Sequence, residues 1–71
     1  MILLNIYVFK PNGVCDWIIP IVREDQTYYY NPAGRKWPKS IIDSNKEYRG
    51  GYYFSSEELK DKFCDIYYKE N

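Results

Sequence analysis

Apolar and polar positions alternate from the start of the chain. Ile2, Leu4, Ile6 and Val8 recur at every second position, with Leu3, Asn5, Tyr7 and Phe9 between them. A period of two built from β-branched and aromatic residues predicts a strand over 2–10, with one aliphatic and one mixed face. Lys10-Pro11-Asn12-Gly13 follows with the chemistry of a bulged hairpin: Pro presets φ, Asn tolerates the second corner and Gly takes the left-handed position. The return strand, 14–22, carries Cys15, Trp17, Ile19 and Ile21 on one face and Val14, Asp16, Ile18 and Val22 on the other. Pro20 has no amide hydrogen, so this strand must place it at an edge, a bulge or an end. Arg23-Glu24-Asp25-Gln26 reads as a charged, solvated turn.

A third strand is predicted over 27–31, with Tyr28 and Tyr30 on one face and Tyr29 on the other. Asn31-Pro32-Ala33-Gly34 has type I turn chemistry, with Asn first, Pro second and Gly fourth. A short fourth strand over 35–38 ends at Pro38. Lys39 to Tyr48 fits neither period: Ser40 to Asp43 suits a helical turn or a strand fragment, and Asp43 to Lys46 a loop. After Gly50-Gly51, residues 51–54 form a last strand. Ser55-Ser56-Glu57-Glu58 then matches a capping box, with Ser55 as N-cap and Glu58 three residues on. It opens a helix over 56–69 whose apolar stripe is Leu59, Phe63, Ile66 and Tyr67. Glu58–Lys62 and Asp65–Lys69 are favourable i, i+4 pairs on it. The expected architecture is α+β, a single small domain over 1–71: one antiparallel sheet of four to five strands with the C-terminal helix packed on one face.

Composition sharpens this picture in one respect. A chain of 71 residues is near the size at which a core must be aromatic or stapled to hold. Here it is aromatic, with nine Tyr, three Phe and two Trp. So small a core cannot enclose nine tyrosines, so some belong to the surface, where interfaces favour them. Ten basic and ten acidic residues cancel, which argues against an acidic mimic of nucleic acid and against a basic coat protein. Zero net charge also weakens electrostatic protection against self-association. Ile, Lys, Asn, Tyr and Phe, all with AT-rich codons, make up 32 of the 71 residues. That usage points to an AT-rich genome such as that of a low-GC bacterium, its phages or another mobile element.

Candidate chemistry is sparse. There is no histidine, no Cys-x-x-Cys pair, no Gly-rich phosphate loop and no nucleophile elbow. No catalytic residue, metal site or cofactor is therefore expected. Cys15 and Cys64 are expected as reduced thiols acting as small hydrophobes. The start, Met1-Ile2-Leu3-Leu4-Asn5-Ile6, lacks a basic leader, and no run of eighteen apolar residues occurs. The expectation is a cytoplasmic protein (the host cytoplasm if phage-encoded) without membrane association.

The stretch from Thr27 to Lys39 carries a charge of +3 and no acid, whereas Ser55 to Asn71 carries −2. Tyr28, Tyr29, Tyr30, Arg35, Lys36, Trp37 and Lys39 are thus the candidate partner-binding residues. An aromatic, basic hairpin suits a protein interface, where Tyr, Trp and Arg supply most of the binding energy. The expected function is that of a small, non-catalytic binding protein, a phage- or mobile-element-encoded inhibitor acting on a host or defence protein. Two alternatives use the same residues. Tyr28, Tyr30, Arg35, Lys36 and Trp37 could stack single-stranded nucleic acid, or the aromatics could be buried in a homo-oligomer.

The order Trp17, Tyr28-Tyr29-Tyr30-Asn31, Trp37-Pro38 resembles a WW domain over about twenty residues. The resemblance implies a groove for proline-rich peptides built from Tyr29 or Tyr30 and Trp37. The chain departs from that pattern in the short span from Asn31 to Trp37, the Pro directly after the second Trp, the strand before Trp17 and the C-terminal helix.

Overall fold

The computed structural model describes residues 1–11 and 17–70. It contains strands β1 (Leu4–Phe9), β2 (Trp17–Ile21), β3 (Arg23–Glu24), β4 (Tyr28–Tyr30), β5 (Lys36–Pro38) and β6 (Tyr52–Phe54), a 3₁₀ turn (Lys39–Ile41) and helix α1 (Glu57–Glu70). The α+β class holds. The tip of the first hairpin, including Asn12, Gly13 and Cys15, lies outside the described residues.

The strands form two three-stranded antiparallel sheets, ordered β2-β1-β6 and β3-β4-β5, and not one sheet. The division falls at a single peptide group. The Ile21 carbonyl accepts from the Leu3 N–H at 2.7 Å, while the Val22 N–H donates to the Tyr30 carbonyl at 3.0 Å. The C=O and N–H of one trans peptide point in opposite directions. The segment from Trp17 to Glu24 therefore serves β1 along one edge and β4 along the other. Arg23 and Glu24, read from the sequence as a turn, are its last two residues and pair with Tyr30 and Tyr29. Charged side chains are normal on an exposed edge strand, and their charge is what disguised the strand.

The first sheet is covered on both faces. Ile6 and Val8 of β1, Ile19 and Ile21 of β2 and Tyr53 of β6 form one buried cluster with Trp37 of the second sheet. On the opposite face the Phe9 ring meets Phe63 and Tyr67 of α1 at 6.0 and 5.3 Å, and Tyr52 lies 4.7 Å from Phe63. β1 is thus central: Ile6, Val8 and Phe9 are all fully buried. Burial of each such side chain stabilises by about 1.5–3 kcal/mol.

The helix differs from its predicted form in two ways. Ser56, not Ser55, caps it, its Oγ accepting the Leu59 N–H at 3.2 Å. Ser55 is instead held by Asp43, whose carboxylate accepts the Ser55 N–H at 2.9 Å and its hydroxyl at 2.6 Å. The inward stripe is also rotated. Leu59 and Ile66 are exposed, and Lys60 is buried, with Phe63 and Tyr67 half-buried. The long methylene stem of Lys60 fills an apolar position, and its ammonium lies 3.5 Å from Asp61. The Glu58–Lys62 pair forms at 3.4 Å.

Candidate functional site

The second sheet is a meander of neighbours in sequence. Asp25 makes its first turn: Oδ1 accepts the N–H groups of Thr27 and Tyr28 at 2.8 and 2.7 Å. This is the local bonding that favours Asp in turns. Asn31 makes the second, its Oδ1 accepting the Arg35 N–H at 2.8 Å, with Gly34 at φ 86°. The Lys39 N–H donates to the Thr27 carbonyl at 2.8 Å and prolongs the β4–β5 ladder.

Because side chains alternate along a strand, the register divides the tyrosine triplet. Tyr29 stands opposite Trp37, while Tyr28 and Tyr30 stand opposite Pro38 and Lys36. The Tyr29–Trp37 face turns inward. Trp37 is only 3% exposed, and its indole N–H donates to the Tyr53 hydroxyl. Burial pushes the Tyr53 phenol above its ordinary range. Tyr29 packs against the same cluster. Lys39 belongs to this side as well, with its ammonium 5.0 Å from the centre of the Tyr29 ring and 2.6 Å from Glu24. The hydrogen bond to Glu24 raises the Lys39 pKa above its usual value.

The outer face presents two half-buried tyrosines with a cation on each. The Arg23 guanidinium carbon lies 3.8 Å from the centre of the Tyr30 ring, and the Lys36 ammonium lies 4.2 Å from that of Tyr28. The two rings meet edge to face at 6.4 Å. Such contacts contribute about 0.5–1 kcal/mol each at exposed sites. Asp25 fixes one end of the row, its Oδ2 accepting the Tyr30 hydroxyl at 2.6 Å. That bond, with the two backbone N–H groups, holds the Asp25 pKa down at about 2, and it raises that of Tyr30.

Of the seven candidate residues, the structure brings Tyr28, Tyr30 and Lys36 together on one outward face. Tyr29 and Trp37 are directed to the interior, Lys39 is engaged with Glu24, and Arg35 lies at the end of the β4–β5 turn, with only its backbone bonded to Asn31. Trp37 is too buried to wall a groove, and Trp17 stands in the other sheet, so the groove implied by the WW resemblance does not form. Arg23 and Asp25 are members of the outer face that the sequence reading assigned to a solvated turn. The Asp-x-x spacing before Tyr28 was the available signal for that tight turn, and hence for an Arg23 brought opposite Tyr30.

A concavity of about 210 Å³ lies between α1 and the loop after the 3₁₀ turn. Phe54, Leu59, Phe63 and Ile66 line it together with the polar Asp43, Asn45 and Lys62. Among the described residues, no helix is long and apolar enough to cross a membrane. Compared with family models, characterised proteins and solved structures, the chain shows no match.

Proposed function

We propose that the protein is a small, non-catalytic binding protein that engages another protein through the outer face of the β3-β4-β5 sheet. The observation that carries this reading is the pair of tyrosines, Tyr28 and Tyr30, each already stacked with an exposed cation. Tyr and Arg dominate interface energetics. Side chains held in place before binding also lose less freedom when a partner arrives. The Asp25–Tyr30 hydrogen bond supplies part of that order. Together with the small size of the domain and an amino-acid usage weighted to residues with AT-rich codons, this supports a phage- or mobile-element-encoded inhibitor that occupies a surface of a host protein.

The test is affinity capture from a bacterial lysate with three forms of the protein. These are the natural sequence, Tyr28→Ala with Tyr30→Ala, and a control with Leu59→Ala and Ile66→Ala on the helix cleft. Circular dichroism checks that each is folded. The expected result is one set of captured proteins lost with the tyrosine variant and retained by the cleft variant. Identical capture by all three would overturn the assignment of the outer face.

A further inference from the structure

Resting on the outer face as the contact surface, we infer that its partner presents an acidic, Asp/Glu-bearing segment to Arg23 and Lys36. Lys10 and Arg49 also lie over rings, those of Trp17 and Tyr48, but Arg23 and Lys36 flank one strand on one sheet face. Lys39 and Lys62 have carboxylates at 2.6 and 3.4 Å. Arg23 and Lys36 have no ion pair among the described residues and are exposed. What holds them is the π face beneath each. The Arg23 guanidinium, its carbon 3.8 Å from the Tyr30 ring centre, forms no ion pair among the described residues, which leaves N–H donors for a partner. Those donors form the fork that matches a carboxylate with two parallel bonds.

The one acid beside them is already used. Asp25 takes two backbone N–H groups on one oxygen and the Tyr30 hydroxyl on the other; its charge offsets one of the two cations, and the face keeps a net positive charge. Lys36 and Arg23 both stand across from Tyr30 in register. They flank the central strand, and a partner chain laid along β4 would meet both. The same geometry disfavours nucleic acid. Base stacking needs free aromatic faces, whereas a cation lies on a face of both Tyr28 and Tyr30. The face offers positive charge outward, and the chemistry that complements it is a carboxylate-bearing chain.

The probe is a fluorescein-labelled glutamate-rich peptide, titrated at low salt and followed by fluorescence anisotropy. An oligothymidylate and a lysine-rich peptide run in parallel. The expected result is binding of the acidic peptide that weakens as salt is added. Arg23→Gln and Lys36→Gln each lower its affinity about five-fold, and Lys62→Gln leaves it unchanged. The double reversal Arg23→Glu with Lys36→Glu should lose the acidic peptide and gain the lysine-rich one. No binding of the acidic peptide, equal loss with Lys62→Gln, or tighter binding of the oligothymidylate would each overturn the inference. Should the peptide fail while lysate capture still depends on Tyr28 and Tyr30, only the acidic partner is wrong. Should capture also ignore those tyrosines, the outer-face reading falls with it.

Discussion

The contact between Trp37 and Tyr53 joins the two sheets, and its removal has a calculable effect. Both side chains are 3% exposed, and the indole N–H donates to the phenol oxygen. Tyr53→Phe deletes one hydroxyl and leaves that N–H buried without its partner, which costs about 1–3 kcal/mol. Trp37→Ala also empties a large buried volume and costs about 3–5 kcal/mol. A chain of this length has a total stability of about 4–10 kcal/mol. The alanine variant should therefore be largely unfolded or nearly so, and the phenylalanine variant folded but weakened.

A double-mutant cycle isolates the hydrogen bond. Tyr53→Phe and Trp37→Phe each strand one polar group, whereas the double variant strands neither. Its loss should fall short of the sum of the single losses by about 1 kcal/mol. Urea unfolding followed by far-ultraviolet circular dichroism measures all four proteins without relying on tryptophan emission. Alkaline pH reads the burial of the same phenol. The folded Tyr53 phenol titrates above its ordinary value of 10.0. Its contribution is full below that value. Above it the unfolded chain releases the proton first, and stability falls as pH rises through the folded pKa. Tyr53→Phe should make that fall shallower. Strict additivity in the cycle would refute the bond between the sheets, and an unchanged alkaline limb would refute the burial of the Tyr53 phenol.

Three further outcomes follow from the geometry. Asp25 has a folded pKa of about 2 against an ordinary 3.8, so its contribution is present above about pH 4 and lost as pH falls towards 2. Asp25→Asn should flatten the acid limb of an unfolding profile and, by NMR titration, return the Tyr30 phenol towards its usual pKa. Ser56→Ala should cost about 1 kcal/mol as the loss of a helix cap and be additive with Asp43→Ala, while Ser55→Ala should be strongly non-additive with it. Were Ser55 the cap, those roles would be exchanged. Gly34→Ala, at φ 86° with open space around it, should lower stability by about 1 kcal/mol through backbone strain alone. A thermal melt with no change would contradict the left-handed turn.

Elements governed by local chemistry were legible in the chain. The alternation from Ile2 to Phe9, the Asn31–Gly34 turn and the helix after Ser56 all express short-range preferences, and they formed close to their predicted bounds. The facing of the tyrosine triplet followed from strand periodicity. What could not be read was decided at long range. Nothing local to Ile21 and Val22 says that one peptide will bond β1 on one side and β4 on the other. Nor does helical periodicity reveal that α1 settles with Lys60 inward and Leu59 outward, because the position of Phe9 and Tyr52 beneath it decides that. The candidate site was half legible for the same reason. Tyr28, Tyr30 and Lys36 lie within nine residues of one another, but Arg23 joins them only once β3 has paired.

The second sheet is closed between Arg23 and Lys39 by contacts near in sequence. β1, by contrast, must find β6 with Phe9 opposite Tyr52, more than half the length of the chain away. Loop-closure entropy delays such distant pairings, and folding speed follows the share of local contacts. The meander that carries Tyr28, Tyr30 and Lys36 is accordingly suited to nucleate first, with Trp37 docking onto the first sheet afterwards. Its two turns are fastened by Asp25 and Asn31 within the meander itself. Fraying at the C-terminal helix would therefore loosen the opposite side of the molecule while the face bearing Arg23 and Lys36 kept its shape.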